Sequence, residues 1–364
     1  MKHYCRYPFC LLLLSFSLVA ASSVPADSPP VFLLQWGTIG EAEGQFFKPR
    51  MVAVDALGHV YLADTNRNRV QKFDGNGTFL RMWGWGVQDG SNSFQTCTDG
   101  CGTGFSGDGD GQFDVPWGIA VDATGNFYVV SIGNHRVQKF DRDGTFLRMW
   151  GWGVQDGSSA FQVCTSSCRA GISGGGDGQF SSPSGVAVAS TGDVYVAGPS
   201  NHRIQRFSSM GTYLDKWGTF GLGDGELVFP ADVAIDASDN VYVSDTNAER
   251  IQKFDRNGTF LAKWGTHGSG DGQFNLPNGV AVDGAGDVYV ADGGNNRIQK
   301  FDPRGVFLTK WGTTGSGEGQ FSLPYGLAVA ASGYVYVADI DNHRIQKFGG
   351  PWLNLFIGDL PEEQ

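Results

Sequence analysis

Along most of this chain, apolar and polar positions alternate in runs of five or six, and the runs come in sets of four. From Pro277 the sequence reads PNGVAVDGAGDVYVADGGNNRIQKFDPRGVFLTKWG, with runs at 279–283, 287–291, 297–302 and 306–311. Each run is rich in Val, Tyr, Ile and Phe and is bounded by Gly, Asn, Asp or Pro, the pattern of short β-strands joined by tight turns. Outside the first residues nothing sustains a helical period.

The set recurs. Opening prolines stand at Pro49, Pro116, Pro183, Pro230, Pro277 and Pro324, spaced by 67, 67, 47, 47 and 47 residues, so the first two units are longer. The segment Arg-x-Gln-Lys/Arg-Phe begins at Arg69, Arg136, Arg203, Arg250, Arg297 and Arg344. Four strands per unit at this spacing predict an all-β, six-bladed β-propeller of four-stranded blades. A solenoid would need polar capping units, and none is visible.

Ring closure is predicted separately. Trp-Gly ends the fourth strand at Trp83, Trp150, Trp217, Trp264 and Trp311, but the sixth unit has none after Phe348. The missing copy is Trp36, so residues 31–37 are expected to supply the outer strand of the last blade and hide its open edge. Residues 353–357 are the rival and lack the Trp-Gly ending.

The stretches DTNRNRVQKF from Asp64, DGGNNRIQKF from Asp292 and DIDNHRIQKF from Asp339 resemble the repeat of the NHL family. The resemblance runs from about Val31 to Phe348 and implies the same six-bladed fold. Its members include RNA-binding and ubiquitin-ligase proteins, a peptide-amidating lyase, kinase sensor domains and extracellular repeat proteins, so the fold does not name an activity.

Composition changes the picture in three places. Lys2 and Arg6 precede an apolar run from Phe9 to Ala20, too short to span a bilayer, with Val19-Ala20-Ala21 as a cleavage site. A signal peptide over 1–21, a linker over 22–30, a propeller over 31–350 and a tail over 351–364 follow, with export as the expected localisation. A short uncleaved anchor is the alternative. Second, four cysteines sit as Cys97/Cys101 and Cys164/Cys168 in the insertions, near 85–110 and 152–177. In an oxidising compartment they read as two local disulfides, each worth roughly 2 kcal/mol on a chain-entropy estimate. A four-cysteine zinc site is the rival and lacks Cys-x-x-Cys spacing. Third, the net charge is −11, and −13 once Lys2 and Arg6 leave with the signal. The basic residues recur around the ring rather than on one face, so no nucleic acid is expected.

Catalysis has one defined test. The resemblance to the amidating lyase implies zinc-binding histidines directly after the blade-opening prolines. Those positions carry Arg50, Trp117, Ser184, Ala231, Asn278 and Tyr325, with no histidine among them. His135, His202 and His343 stand in the second turn, where a structural role is expected. Arg69, Arg250, Arg297 and Arg344 each follow an Asp by five residues, which suggests structural ion pairs.

The reading is an exported, monomeric, non-catalytic binding or scaffold propeller with no cofactor or metal. Its ligand, a protein, peptide or glycan, is expected at Arg50, Trp117, Ser184, Asn278 and Tyr325, beside the insertions. A metal-dependent lyase or hydrolase is the alternative function. Packing of Trp117 and Tyr325 as a channel plug is the alternative role for that site.

Overall fold

The strand pattern of one unit becomes one sheet. In the fifth, Pro277–Val282, Val288–Asp292, Arg297–Phe301 and Phe307–Trp311 pair antiparallel in chain order from the centre outwards. Six such sheets form the β-propeller in the computed structural model, which describes residues 28–350. The expected signal peptide and tail fall outside the described residues. Among the described residues no helix is long and apolar enough to cross a membrane.

The core lies between blades, because alternation buries both faces of every sheet except the ring's two flat ends. One layer joins Tyr242 and Ile251 of blade four to Phe274, Val280, Val290 and Phe301 of blade five. The Trp of each Trp-Gly packs forward onto the next blade, as with Trp264 on Phe301 at 5.9 Å and Trp217 on Phe254 at 6.0 Å. Burial of an aromatic at each seam carries much of the ring's cohesion.

The N-terminal strand Val31–Trp36 pairs antiparallel with Arg344–Gly349 as the outer strand of blade six. Trp36 then packs on Phe73 of blade one at 5.8 Å, the same contact that the other seams make. The glycine after it is required. Gly37 has φ +102, and a Cβ there would lie 2.3 Å from the Phe46 ring.

Blades one and two depart from the expected four strands. At Trp83-Gly84-Trp85 and Trp150-Gly151-Trp152 the chain stays extended past the glycine, giving Phe79–Trp85 and Phe146–Trp152. Phe94–Cys97 and Phe161–Cys164 pair onto these longer strands as a fifth, outermost strand. The insertions are therefore partly edge strands, not only loops. Their cysteines are bonded locally, Cys97 to Cys101 and Cys164 to Cys168.

The repeated Arg is a buried staple. Nε donates to the second-strand Asp in four blades, Arg69–Asp64 at 2.9 Å, Arg250–Asp245 at 3.1 Å, Arg297–Asp292 at 2.7 Å and Arg344–Asp339 at 2.8 Å. Most of the remaining guanidinium N–H groups donate to carbonyls of the preceding connector, such as Ser269, Gly270 and Gln273 from Arg297. Blades two and three have Ser131 and Gly198 at the Asp position, and the buried Nε of Arg136 and Arg203 has no partner. Without a carboxylate, burial pushes the Arg136 guanidinium down to about 10.

Candidate functional site

Five of the six inner strands begin at their proline, and that of blade three at Val186, on the face that also carries the second turns and the blade-to-blade connectors. The residue before the proline is left-handed in five blades, including Lys48 at φ +59 and Val115 at φ +53. A side chain from the previous blade's second turn holds that backbone in place. His343 Nδ1 accepts from Lys48 N at 3.2 Å, Asn68 Oδ1 from Val115 N at 3.0 Å, and His135 Nδ1 from Ser182 N at 3.2 Å. His202 Nδ1 instead donates to Val228 O at 2.6 Å. These histidines therefore latch one blade to the next.

Three of the post-proline side chains meet. The Arg50 guanidinium carbon lies 3.5 Å from the Trp117 ring centroid and 5.1 Å from that of Tyr325. The two rings meet edge to face at 5.8 Å. Blades six, one and two are neighbours, so the ring's order alone brings these residues together. Among the described residues Arg50 forms no ion pair with a carboxylate, and its buried Nε has no hydrogen-bond partner. Burial lowers its pKa and raises that of Tyr325. An unpaired guanidinium on an aromatic face is an anion-receptive group.

The other two expected residues do not join this cluster. Ser184 is 2% exposed and its hydroxyl donates to Ala231 O at 2.6 Å. Asn278 is buried, and its carbonyl accepts from Ser244 Oγ at 2.5 Å. Both bonds join neighbouring blades, the first through the Ser184 side chain and the second through the Asn278 main chain.

Asp232 was missed. Two residues after the opening proline, four blades carry Gly118, Gly185, Gly279 and Gly326, because neighbouring inner strands touch there. A Cβ on Gly326 would lie 2.4 Å from Arg50 O, and one on Gly118 2.1 Å from Ser184 O. Only Met51 and Asp232 break that pattern, a signal present in the sequence. Asp232 Oδ2 accepts from Val280 N of the next blade at 3.0 Å. Burial pushes the carboxyl up to about 7, against the opposing pull of the Val280 and Val233 N–H groups.

On this face the connectors leave large apolar side chains exposed: Ile39, Phe105, Ile172, Phe220, Leu222 and Leu276. Phe105 and Ile172 belong to the two insertions. A zinc site of the lyase kind does not fit the residues present. The post-proline set has no histidine, and among the described residues no group of three or more His, Cys, Asp or Glu could hold a metal.

Comparison with known proteins places the repeat. The "NHL repeat" model matches residues 48–73, 113–140, 180–207, 227–254, 274–301 and 321–348. Among curated proteins, the chain is 29% identical to Protein brain tumor of Drosophila melanogaster over 215 residues, 57% of this chain and 16% of that protein. It is 36% identical to peptidylglycine alpha-amidating monooxygenase of Rattus norvegicus over 115 residues, 30% of this chain and 10% of that one. The chain thus spans a small part of either relative. Among solved structures, a gluconolactonase from Xanthomonas campestris superposes with a TM-score of 0.55 at 14% identity, covering 88% of this chain and 98% of that one. That similarity shows the fold alone. Each of the six matched segments ends on the third-strand Phe of one blade, from Phe73 to Phe348, and with one repeat to each blade this chain belongs to the NHL repeat family.

Proposed function

We propose that this protein is an exported binding propeller that engages a protein or peptide through its connector-bearing face. The observation that carries the reading is the Arg50–Trp117–Tyr325 cluster, a guanidinium stacked on aromatics without a carboxylate of its own. A ligand carboxylate, from an acidic side chain or a chain terminus, would complete it. The exposed apolar side chains on the surrounding connectors add area for a larger partner. The relatives are compatible with either a binding or an enzymatic role, and the post-proline residues favour binding.

The test is affinity capture followed by titration. Once a partner is captured from a peptide library, Trp117→Ala should weaken binding about thirty-fold or more, as aromatic anchors do. Lys263→Ala, on the outer strand of blade four, should be nearly silent. Unchanged affinity in the Trp117→Ala, Tyr325→Ala double variant would overturn the assignment of the site. Stoichiometric zinc or calcium in the purified protein would redirect the reading to a metal-dependent lyase or hydrolase.

A further inference from the structure

The opposite face of the ring carries the turns between strands one and two and between strands three and four. There a cavity of about 370 Å³ opens at the seam between blades one and two. That volume lies within the range of about 300–1,000 Å³ usual for small-molecule sites. Its walls come from the 55–59 turn, the third and fourth strands of blade one, and two turns of blade two.

Four of the lining side chains are basic: His59, Lys72, Arg81 and Arg142. The repeat shows how unusual that is. At the seams after blades two to six, the positions of Lys72, Arg81 and Arg142 carry Lys139/Arg148/Ser209, Arg206/Asp215/Arg256, Lys253/Ala262/Pro303, Lys300/Thr309/Gly350 and Lys347/Leu34/Gly75. All three are basic only between blades one and two. The position of His59 holds Asn126, Asp193, Asn240, Asp287 or Tyr334 elsewhere.

The two lining carboxylates offset part of this charge, Asp55 against His59 and Lys72 and Asp143 against Arg81, and leave Arg142 unmatched. Asp55 is turned inward, accepting from the Leu57 and His59 backbone N–H groups, from His59 Nδ1 at 2.9 Å and from Tyr61 OH at 3.4 Å, with Lys72 Nζ at 3.5 Å. That bond fixes the His59 ring and leaves Nε2 as its free nitrogen. Asp143 lies at the rim, mostly exposed, 3.3 Å from Arg81. Arg142 has no carboxylate partner among the described residues and donates to Thr124 O at 2.9 Å. Ala56, Leu57 and Ala123 supply apolar wall between these groups.

We propose that this seam is a binding site for a small organic oxyanion, a carboxylate or phosphate on a compact body. Arg81 and Arg142 grip the oxyanion from opposite blades, while Lys72 and His59 Nε2 line the floor. In a chain with a net charge of −11, a local excess of cations is what would draw such a ligand to this seam. The site is independent of the Arg50 cluster, which lies on the other face.

The test is an NMR titration of the histidine ring signals in the whole protein with sodium glucuronate, inorganic phosphate and acetate. The expected result is a saturable shift of the His59 signals with at least one of the three. Saturation by glucuronate alone would assign the site to sugar acids, and by phosphate alone to phosphorylated ligands. Binding should weaken tenfold or more in an Arg81→Gln, Arg142→Gln variant that retains its circular dichroism spectrum, and should persist in Trp117→Ala. No saturable shift with any anion would overturn the proposal, as would unchanged binding in the double variant.

Discussion

Replacing Asp232 with Asn should change how stability depends on pH. The wild-type carboxyl is 7% exposed and is pushed up to about 7, from 3.8 for an unhindered aspartate. Between those values the folded protein holds a proton that the unfolded chain has released. The folded state therefore binds more protons there, and stability falls as pH rises from about 4 to about 7. The difference of roughly three pKa units corresponds to about 4 kcal/mol, lost in full above the folded pKa. Asn keeps the shape and an oxygen to accept from Val280 N, but it does not titrate. Denaturant unfolding of both proteins at pH 4, 6 and 8 isolates the effect, because all other titrating groups are shared. The variant should gain about 3–4 kcal/mol on wild type between pH 4 and pH 8. Parallel pH profiles, differing by less than about 1 kcal/mol across that window, would refute the assignment of a buried, proton-holding carboxyl.

Three further outcomes follow from the packing. Trp36→Ala removes the aromatic contact between the closing strand and Phe73, and should cost about 2–4 kcal/mol in denaturant unfolding, whereas trimming the chain after Gly350 should cost little. Ser131→Asp places a carboxylate where four other blades have one, and should stabilise the fold by about 1–3 kcal/mol by giving Arg136 Nε a partner, read as a higher thermal midpoint. Peptide mapping under non-reducing conditions should recover Cys97 with Cys101 and Cys164 with Cys168, and the four-serine variant should still fold with each loop loosened by roughly 2 kcal/mol.

The four repeating strands of each blade, the blade order and the neighbourhood of Arg50, Trp117 and Tyr325 were legible because each is a consequence of period. An alternation fixes which face a side chain takes, and a repeat fixes which blades adjoin. The fifth strands were not legible. Phe94–Cys97 is four residues in a polar insertion, and its pairing depends on Gly84 staying extended, which glycine permits as readily as the turn made at Gly37. Asp232 stood in plain view as an exception to a glycine column, but it mattered only once that column was known to mark close backbone approach. Ser184 and Asn278 looked like ligand groups because they are polar and face the centre. The bond from the Ser184 hydroxyl to the neighbouring blade, and the burial of Asn278, could be seen only in three dimensions. The basic seam draws on four separate segments, and nothing in their local patterns shows that a cavity lies between them.

The pairing of Gln35 with Gln346 joins the ends of the ring across nearly the whole chain. During synthesis, the strand made first must wait for a partner some three hundred residues later, roughly 15–60 s at ~5–20 residues per second. Five blades can be complete while the closing strand still has no neighbour, and their exposed flanks wait with it. Assembly therefore has a fixed last step, and a chain stalled or clipped before Arg344 leaves two open sheet edges in place of one closed seam.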